Sequence, residues 1–232
     1  MEFVIVIKRT VTSPVLPILL ISWTIFGLTS HYESINQLSI EDFTNIPSIT
    51  VSSLSQWYHA LTSIFLSNYG FSELFSNSIM LIVLSLVTCK ITSYSEFLLT
   101  FIITGTVGNL LADFFMIHLS NNQVALPGYL STEGQNGYIV GMSTALFGLL
   151  FYTVIIYAKS TQGKTKSKID LFILTFWLFV CLVPWSYPFF EGEAFNASDY
   201  VHMGGGLVGV LLGITVTFFK KFDQSTPSYT NN

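Results

Sequence analysis

Charge is what this sequence has least of. Only 9% of its 232 residues are Asp, Glu, Lys or Arg, and it holds nine Lys plus Arg and two cysteines. A water-soluble domain carries roughly a quarter of its residues as charges, so a soluble globular class is excluded. With a net charge of −4 and no basic patch, nothing marks a face for nucleic acid. No glycine-rich loop followed by Lys is present to cradle a phosphate. Cys89 and Cys181 fall on different predicted helices and outside any metal-ligand spacing, so neither a disulfide nor a metal site is indicated. No cofactor and no metal are expected.

What fills the chain instead is apolar: 51% hydrophobic residues and a mean hydropathy of +0.61. A membrane crossing needs about 20 apolar residues per helix. Six segments qualify or come close, at 11–30, 71–89, 97–119, 138–158, 169–185 and 200–219, the fifth being short. The expected class is an all-α polytopic membrane protein, a six-helix bundle. Lys8 and Arg9 ahead of the first apolar run resemble the start of a signal peptide, but no small-x-small cleavage pattern follows Gly27. The first segment therefore reads as a retained span.

The nine basic residues set the orientation. Lys8 and Arg9 precede span one, Lys90 follows span two, Lys159, Lys164, Lys166 and Lys168 follow span four, and Lys220 and Lys221 follow span six. With alternating sides, all nine fall on one face, and by the positive-inside rule both termini are cytoplasmic. The opposite segments, 30–70, 120–137 and 186–199, contain acidic residues but no Lys or Arg. Gaining or losing one internal span would scramble that partition. The expected layout is a cytoplasmic N-terminus at 1–10, a membrane domain at 11–219 and a cytoplasmic tail at 220–232, in the cell membrane.

Two small-residue helix starts carry the chemistry: Gly141-Met142-Ser143-Thr144-Ala145-Leu146-Phe147-Gly148 and Val201-His202-Met203-Gly204-Gly205-Gly206-Leu207-Val208-Gly209. Spans four and six both run inward from the outer side, so Ser143 and His202 are expected at one depth, just below the outer surface. Polar groups inside a membrane mark function by default. A serine hydroxyl needs a neighbouring base to become a nucleophile, and histidine is the usual one. Gly141 and Gly148 on span four, with Gly205, Gly209 and Gly213 on span six, would form small faces that let two backbones approach closely. Phe147, one turn beyond Ser143, could stack on the His202 ring.

The run Gly141-x-Ser143-x-Ala145-x-Phe147-Gly148 resembles the G-x-S-x-A-x-F-G signature of rhomboid intramembrane serine proteases, and His202 with Gly205 and Gly209 resembles their H-x-x-G-x-x-x-G helix. The likeness in motif order and topology covers residues 11–219. It implies a Ser-His dyad without a third carboxylate, cleaving membrane-anchored substrates near the outer leaflet, with Ser143 as nucleophile and His202 as base and then acid. It also implies an oxyanion site at the start of span two, where the family carries two histidines and an Asn. Here Thr62-Ser63-Ile64-Phe65-Leu66-Ser67-Asn68 is followed by Phe71-Ser72-Glu73-Leu74-Phe75-Ser76-Asn77. Asn77 fits the amide donor position and the Ser143 N–H would be a second donor. Ser67 or Asn68 stands at the first histidine position and Glu73 at the second. As an anion Glu73 would repel a developing oxyanion; protonated, it could donate to it. Its plain structural role is an acid favourable to the helix start.

Thr144 stands where many members have Gly, and Cys89-Lys90 where a Glu-x-Arg motif often ends span two. Trp57 and Tyr58 suit an outer loop lying partly in the interface. Pro184-Trp185-Ser186-Tyr187-Pro188-Phe189-Phe190 would cap the dyad, and the resemblance gives span five and this cap a gating role. His31, His59 and His118 receive no role. The partners implied are transmembrane substrates with Gly, Ala or Pro near the outer end of the helix, and the lipid bilayer. A rhomboid-like protein that binds transmembrane segments without efficient turnover is the alternative. A small transporter would place its polar groups near the midplane rather than the outer surface.

Overall fold

The computed structural model describes residues 14–33, 57–67, 70–119, 141–160, 167–191 and 197–225. Lys8, Arg9, Asn68, Lys164, Lys166, the segment 120–137 and the side chains of His31, His118, 184–190, Lys220 and Lys221 lie outside the described residues.

Every regular element among the described residues is helical. Helix α1 spans Val15–Glu33, with Pro17 in its first turn, where a missing N–H breaks no intrahelical bond. The short α2, Tyr58–Thr62, tightens into a 3-10 turn at Ser63–Phe65 and ends as Leu66 turns extended. Then follow α3 at Gly70–Thr88, α4 at Tyr94–Leu119, α5 at Ser143–Ser160, α6 at Lys168–Glu191 and α7 at Ala197–Ser225. Among the described residues, three stretches, Phe71–Thr88, Tyr94–Met116 and Ser198–Phe219, are long and apolar enough to cross a membrane, and Val15–Ser30 and Ser143–Lys159 are shorter apolar stretches.

Helix bounds differ from the hydropathy reading by a few residues at most ends, and two of these differences bear on the site. The fourth helix starts at Ser143 rather than 138, because Gly141 adopts φ +118°, outside the helical region. The first α-helical bond there runs from the Leu146 N–H to the Met142 carbonyl at 3.0 Å. Helix α6 continues past residue 185 to Glu191, so the expected cap is helical backbone continuous with the fifth span.

Helix α5 is the axis of the bundle. Its residues from Thr144 to Leu150 are all buried, and it packs against α7, α4, α3 and α6. Lipid tails provide no hydrophobic drive between helices, so close association depends on small residues and interhelical polar contacts. Both are present. A methyl group on Gly205 would overlap the Thr144 carbonyl, one on Gly209 the Gly148 carbonyl, and one on Gly204 the Gly108 carbonyl of α4. The pairing of Thr144 with Gly205 and Gly148 with Gly209 shows that α5 and α7 run side by side in the same direction. Gly105 and Gly108 of α4, which the motif reading did not single out, are also closely packed, with neighbours 2.8 Å from any added Cβ. Gly141, expected on this small-residue face, is not part of it; it precedes the helix.

Outward faces are apolar: Ile169, Phe172 and Phe179 of α6 and Leu211, Phe218 and Phe219 of α7 are exposed. The end of the bundle remote from the start of α5 is tied by polar contacts. Lys90 Nζ donates to Asp170 Oδ1 at 2.5 Å, joining the turn after α3 to the start of α6. Thr88 and Thr153 hydroxyls are 2.8 Å apart, and the Tyr152 hydroxyl donates to Glu96. The Cys89-Lys90 departure is thus accommodated by a carboxylate on a neighbouring helix. Both cysteines are free thiols, Cys89 exposed just past α3 and Cys181 buried in α6.

Candidate active site

The starts of α3, α5 and α7, the end of α4 and the segment 57–67 converge at one end of the bundle. The turn before α5 needs glycine for two reasons. At φ +118° Gly141 occupies a backbone region that L side chains rarely enter. Any Cβ there would also lie 2.5 Å from Glu73 Oε1 and 3.8 Å from Ser143 Oγ. Its N–H donates to the Ser63 carbonyl at 3.0 Å, pinning the turn to the 3-10 segment.

Ser143 follows as the first residue of α5 and is half-buried. The N–H groups of Ser143, Thr144 and Ala145 have no carbonyl one turn back inside the helix to bond to. Together with the positive end of the helix dipole, they make this end of α5 favourable to negative charge. Phe147 is buried one turn along the same face. Its ring lies parallel to that of His202, centroids 4.0 Å apart and planes 2° from parallel. His202 is in the second turn of α7 and half-buried. A flat stack of this kind restricts the imidazole to one plane while leaving its nitrogens at the ring edge.

Glu73 lies in the first turn of α3, and Asn77 is one turn further along the same helix face; both are half-buried. The Ser67 hydroxyl donates to Glu73 Oε2 at 3.0 Å. Ser67, one of the two residues that could stand at the first histidine position, is therefore in hydrogen-bond contact with Glu73 at the second. The other carboxylate oxygen, Oε1, faces Gly141, so carboxylate and serine hydroxyl both lie against the same glycine.

A buried polar network beneath the site was not anticipated. Thr144 Oγ1 donates to Asn109 Oδ1 at 2.7 Å, and Asn109 Nδ2 donates to the Ala60 carbonyl at 3.1 Å and to Ser63 Oγ at 3.0 Å. Thr104 Oγ1 reaches the Ala145 carbonyl at 3.3 Å. Asn109, Ser63 and Thr144 are fully buried. This network fixes α2 and the 3-10 turn against α4 and the first turn of α5, so the carbonyl that holds Gly141 is itself held. The available signal was an Asn with an Asp four residues later inside an apolar run, a pattern that is costly in a membrane unless satisfied. Of the residues given no role, His59 packs edge-on against Tyr58 at 4.2 Å. Among the described residues, no three His, Cys, Asp or Glu side chains converge to hold a metal ion.

Neither a curated protein nor a solved structure matches the chain. The Rhomboid domain family model matches residues 54–218, a span that includes α2 through α7 up to Phe218 and with them every residue of this site. With its apolar helices, the chain is an integral membrane protein that belongs to the rhomboid family.

Proposed function

We propose that this protein is an intramembrane serine endopeptidase in which Ser143 is the nucleophile and His202 its general base. The bundle spans the membrane six times with both termini cytoplasmic, in the cell membrane, and the site opens toward the outer leaflet. Support for that orientation comes from Lys90, Lys159 and Lys168, which lie at the end of the bundle opposite Ser143. Membrane-anchored proteins are the substrates. His202 removes the Ser143 proton as the hydroxyl attacks the scissile carbonyl, then returns it to the leaving amine; water resolves the acyl-enzyme by the same route. The Ser143 N–H and the Asn77 amide are the oxyanion donors of this reading, aided by the α5 dipole.

One observation carries the proposal: the parallel stack of Phe147 on His202, one helical turn from Ser143, between two parallel helices whose backbones meet at glycines. A histidine serving only as packing has no need of a defined ring plane beside a helix start. The test is labelling by a fluorophosphonate probe together with cleavage of a tagged single-span substrate. Wild type should react in both assays, and Ser143→Ala and His202→Ala should be silent while remaining folded and inserted. Cleavage that survives Ser143→Ala would sink the assignment.

A second reading has its own observation. The Glu73 carboxyl lies against Gly141, two residues before Ser143, and as an anion it opposes an oxyanion. On this reading the protein binds transmembrane segments without efficient turnover, and folded wild type should resist the probe.

A further inference from the structure

The start of a helix is its least-held part, because the first N–H groups have no carbonyl one turn back to bond to. Ser143 is the first residue of α5, and Met142 before it has no side-chain oxygen to cap those groups. A cap would also occupy N–H donors that the proposed chemistry needs for the oxyanion. Side chains of other elements hold this turn instead. Thr144 Oγ1 donates to Asn109 Oδ1 at 2.7 Å, Asn109 Nδ2 donates to Ser63 Oγ at 3.0 Å, and the Ser63 carbonyl accepts the Gly141 N–H at 3.0 Å. With the chain from Gly141 to Thr144, these bonds close a ring, and Ser143 lies on the stretch between its two ends.

The Asn109 amide closes this ring in one orientation. Its Nδ2 gives one N–H to Ser63 and the other to the Ala60 carbonyl at 3.1 Å, while its oxygen receives the Thr144 hydroxyl. Turned over, it would set oxygen against the Ala60 carbonyl oxygen. Ser63, Asn109 and Thr144 are fully buried, so water does not compete for these bonds. Thr144 stands where many family members have Gly, and a Gly has no hydroxyl to join the ring.

We propose that Thr144 and Asn109 are positioning residues. Through the ring they keep the Ser143 hydroxyl and N–H in register for attack and leave the N–H groups of the helix start free for the oxyanion. This rests on Ser143 being the nucleophile. A reacting group misplaced by about 1 Å reacts roughly a hundredfold more slowly, so loss of the ring slows the chemical step much more than it weakens binding.

The test separates the Thr144 hydroxyl from its methyl, which lies beside Gly108 and Gly205. Thr144→Ser keeps the hydroxyl alone, Thr144→Val the methyl alone, and Thr144→Ala neither. Full-length protein in detergent is measured well below its unfolding temperature, with rates expressed per folded molecule. Fluorophosphonate inactivation is resolved into a maximal rate and a half-saturating concentration. Deuterium exchange of segment 141–146 is read alongside and needs no turnover; the Gly141 and Leu146 N–H groups there are bonded to the Ser63 and Met142 carbonyls. Thr144→Val and Thr144→Ala should lower the maximal rate about ten- to hundredfold, with half-saturation within about twofold. Exchange should quicken about tenfold in both, the scale of one net hydrogen bond. Thr144→Ser should stay within about threefold of wild type in rate and exchange, even where the lost methyl lowers its thermal stability.

A maximal rate that falls in Thr144→Ser and Thr144→Ala but holds in Thr144→Val marks a packing role and overturns the proposal. A rate unchanged in Thr144→Val and Thr144→Ala, or exchange unchanged in both, overturns it as well. Should Thr144→Val not fold, Thr144→Ala against Thr144→Ser makes the same comparison, since the two differ by the hydroxyl alone. Wild type inert to the probe, with exchange quickened in Thr144→Ala and not in Thr144→Ser, upholds the hold on the helix start and removes only the protease reading.

Discussion

The imidazole of His202 and the ring of Phe147 lie face to face, centroids 4.0 Å apart and planes within 2°. Replacing Phe147 by Leu keeps most of the buried volume and removes the stack. The expected result is folded protein whose fluorophosphonate labelling slows roughly three- to tenfold, since an aromatic pair contributes about 0.5–1.5 kcal/mol. Phe147→Tyr should label at close to the wild-type rate. Equal rates for the Leu variant and wild type would remove any orienting role for the stack.

Thr144 donates to Asn109, which donates to Ala60 and Ser63. Thr144→Val preserves shape and deletes one donor, leaving a buried amide oxygen unsatisfied, at a cost of about 1–3 kcal/mol. Asn109→Leu should cost more, since three hydrogen bonds go together and only the Ser63 Oγ to Ala60 carbonyl bond at 3.3 Å remains. Thermal unfolding in detergent reads both, and the ranking Asn109→Leu below Thr144→Val below wild type is the expected order.

Gly209 and Gly27 make a matched pair for Ala substitution. The first abuts the Gly148 carbonyl and the second has open space around it. Gly209→Ala must push α7 off α5, with a cost of about 1–3 kcal/mol from overpacking and loss of probe labelling. Gly27→Ala should be neutral or stabilising by up to about 1 kcal/mol, because alanine favours helix. Tolerance at Gly209 would mean that the two backbones do not touch there.

Lys90 pairs with Asp170, whose side chain is only 7% exposed against 43% for the lysine. Lys90→Ala leaves a buried carboxylate without its cation and should destabilise by about 1–3 kcal/mol, at the end of the bundle remote from Ser143. Lys90→Ala/Asp170→Asn should recover part of the loss. The fraction of labelled protein at a temperature well below unfolding should be unchanged in both, separating stability from chemistry.

The helices were legible because long apolar runs admit few other structures, and the observed elements fall close to the expected 71–89, 97–119 and 200–219. The Phe147-His202 contact was legible for a related reason: a four-residue spacing on one helix and small residues on another leave few arrangements. Gly141 was misread as a packing glycine, because a sequence pattern records residue size but not backbone angle, and its φ ends the apolar run as helix at 143. The network through Asn109 was out of reach for a different reason. Its partners lie 35 to 49 residues away along the chain, and no local period links them. The Ser67–Glu73 bond shows the converse: Glu73, which looks like a departure from a motif, is paired with a serine six residues earlier once the chain is folded.

Gly141 has a consequence for how this chain can vary. Three independent demands meet at that one position: a left-handed φ, no room beside the Glu73 carboxylate, and an N–H given to Ser63. A residue with a side chain is strained by the first and clashes by the second, and proline fails the third as well. A compensating change would have to act on α3, the 3-10 turn and α5 at once, so no single second-site substitution can rescue its loss. The position is closed to stepwise drift, and it fixes in turn how near the Glu73 carboxylate and the first turn of α5 can come.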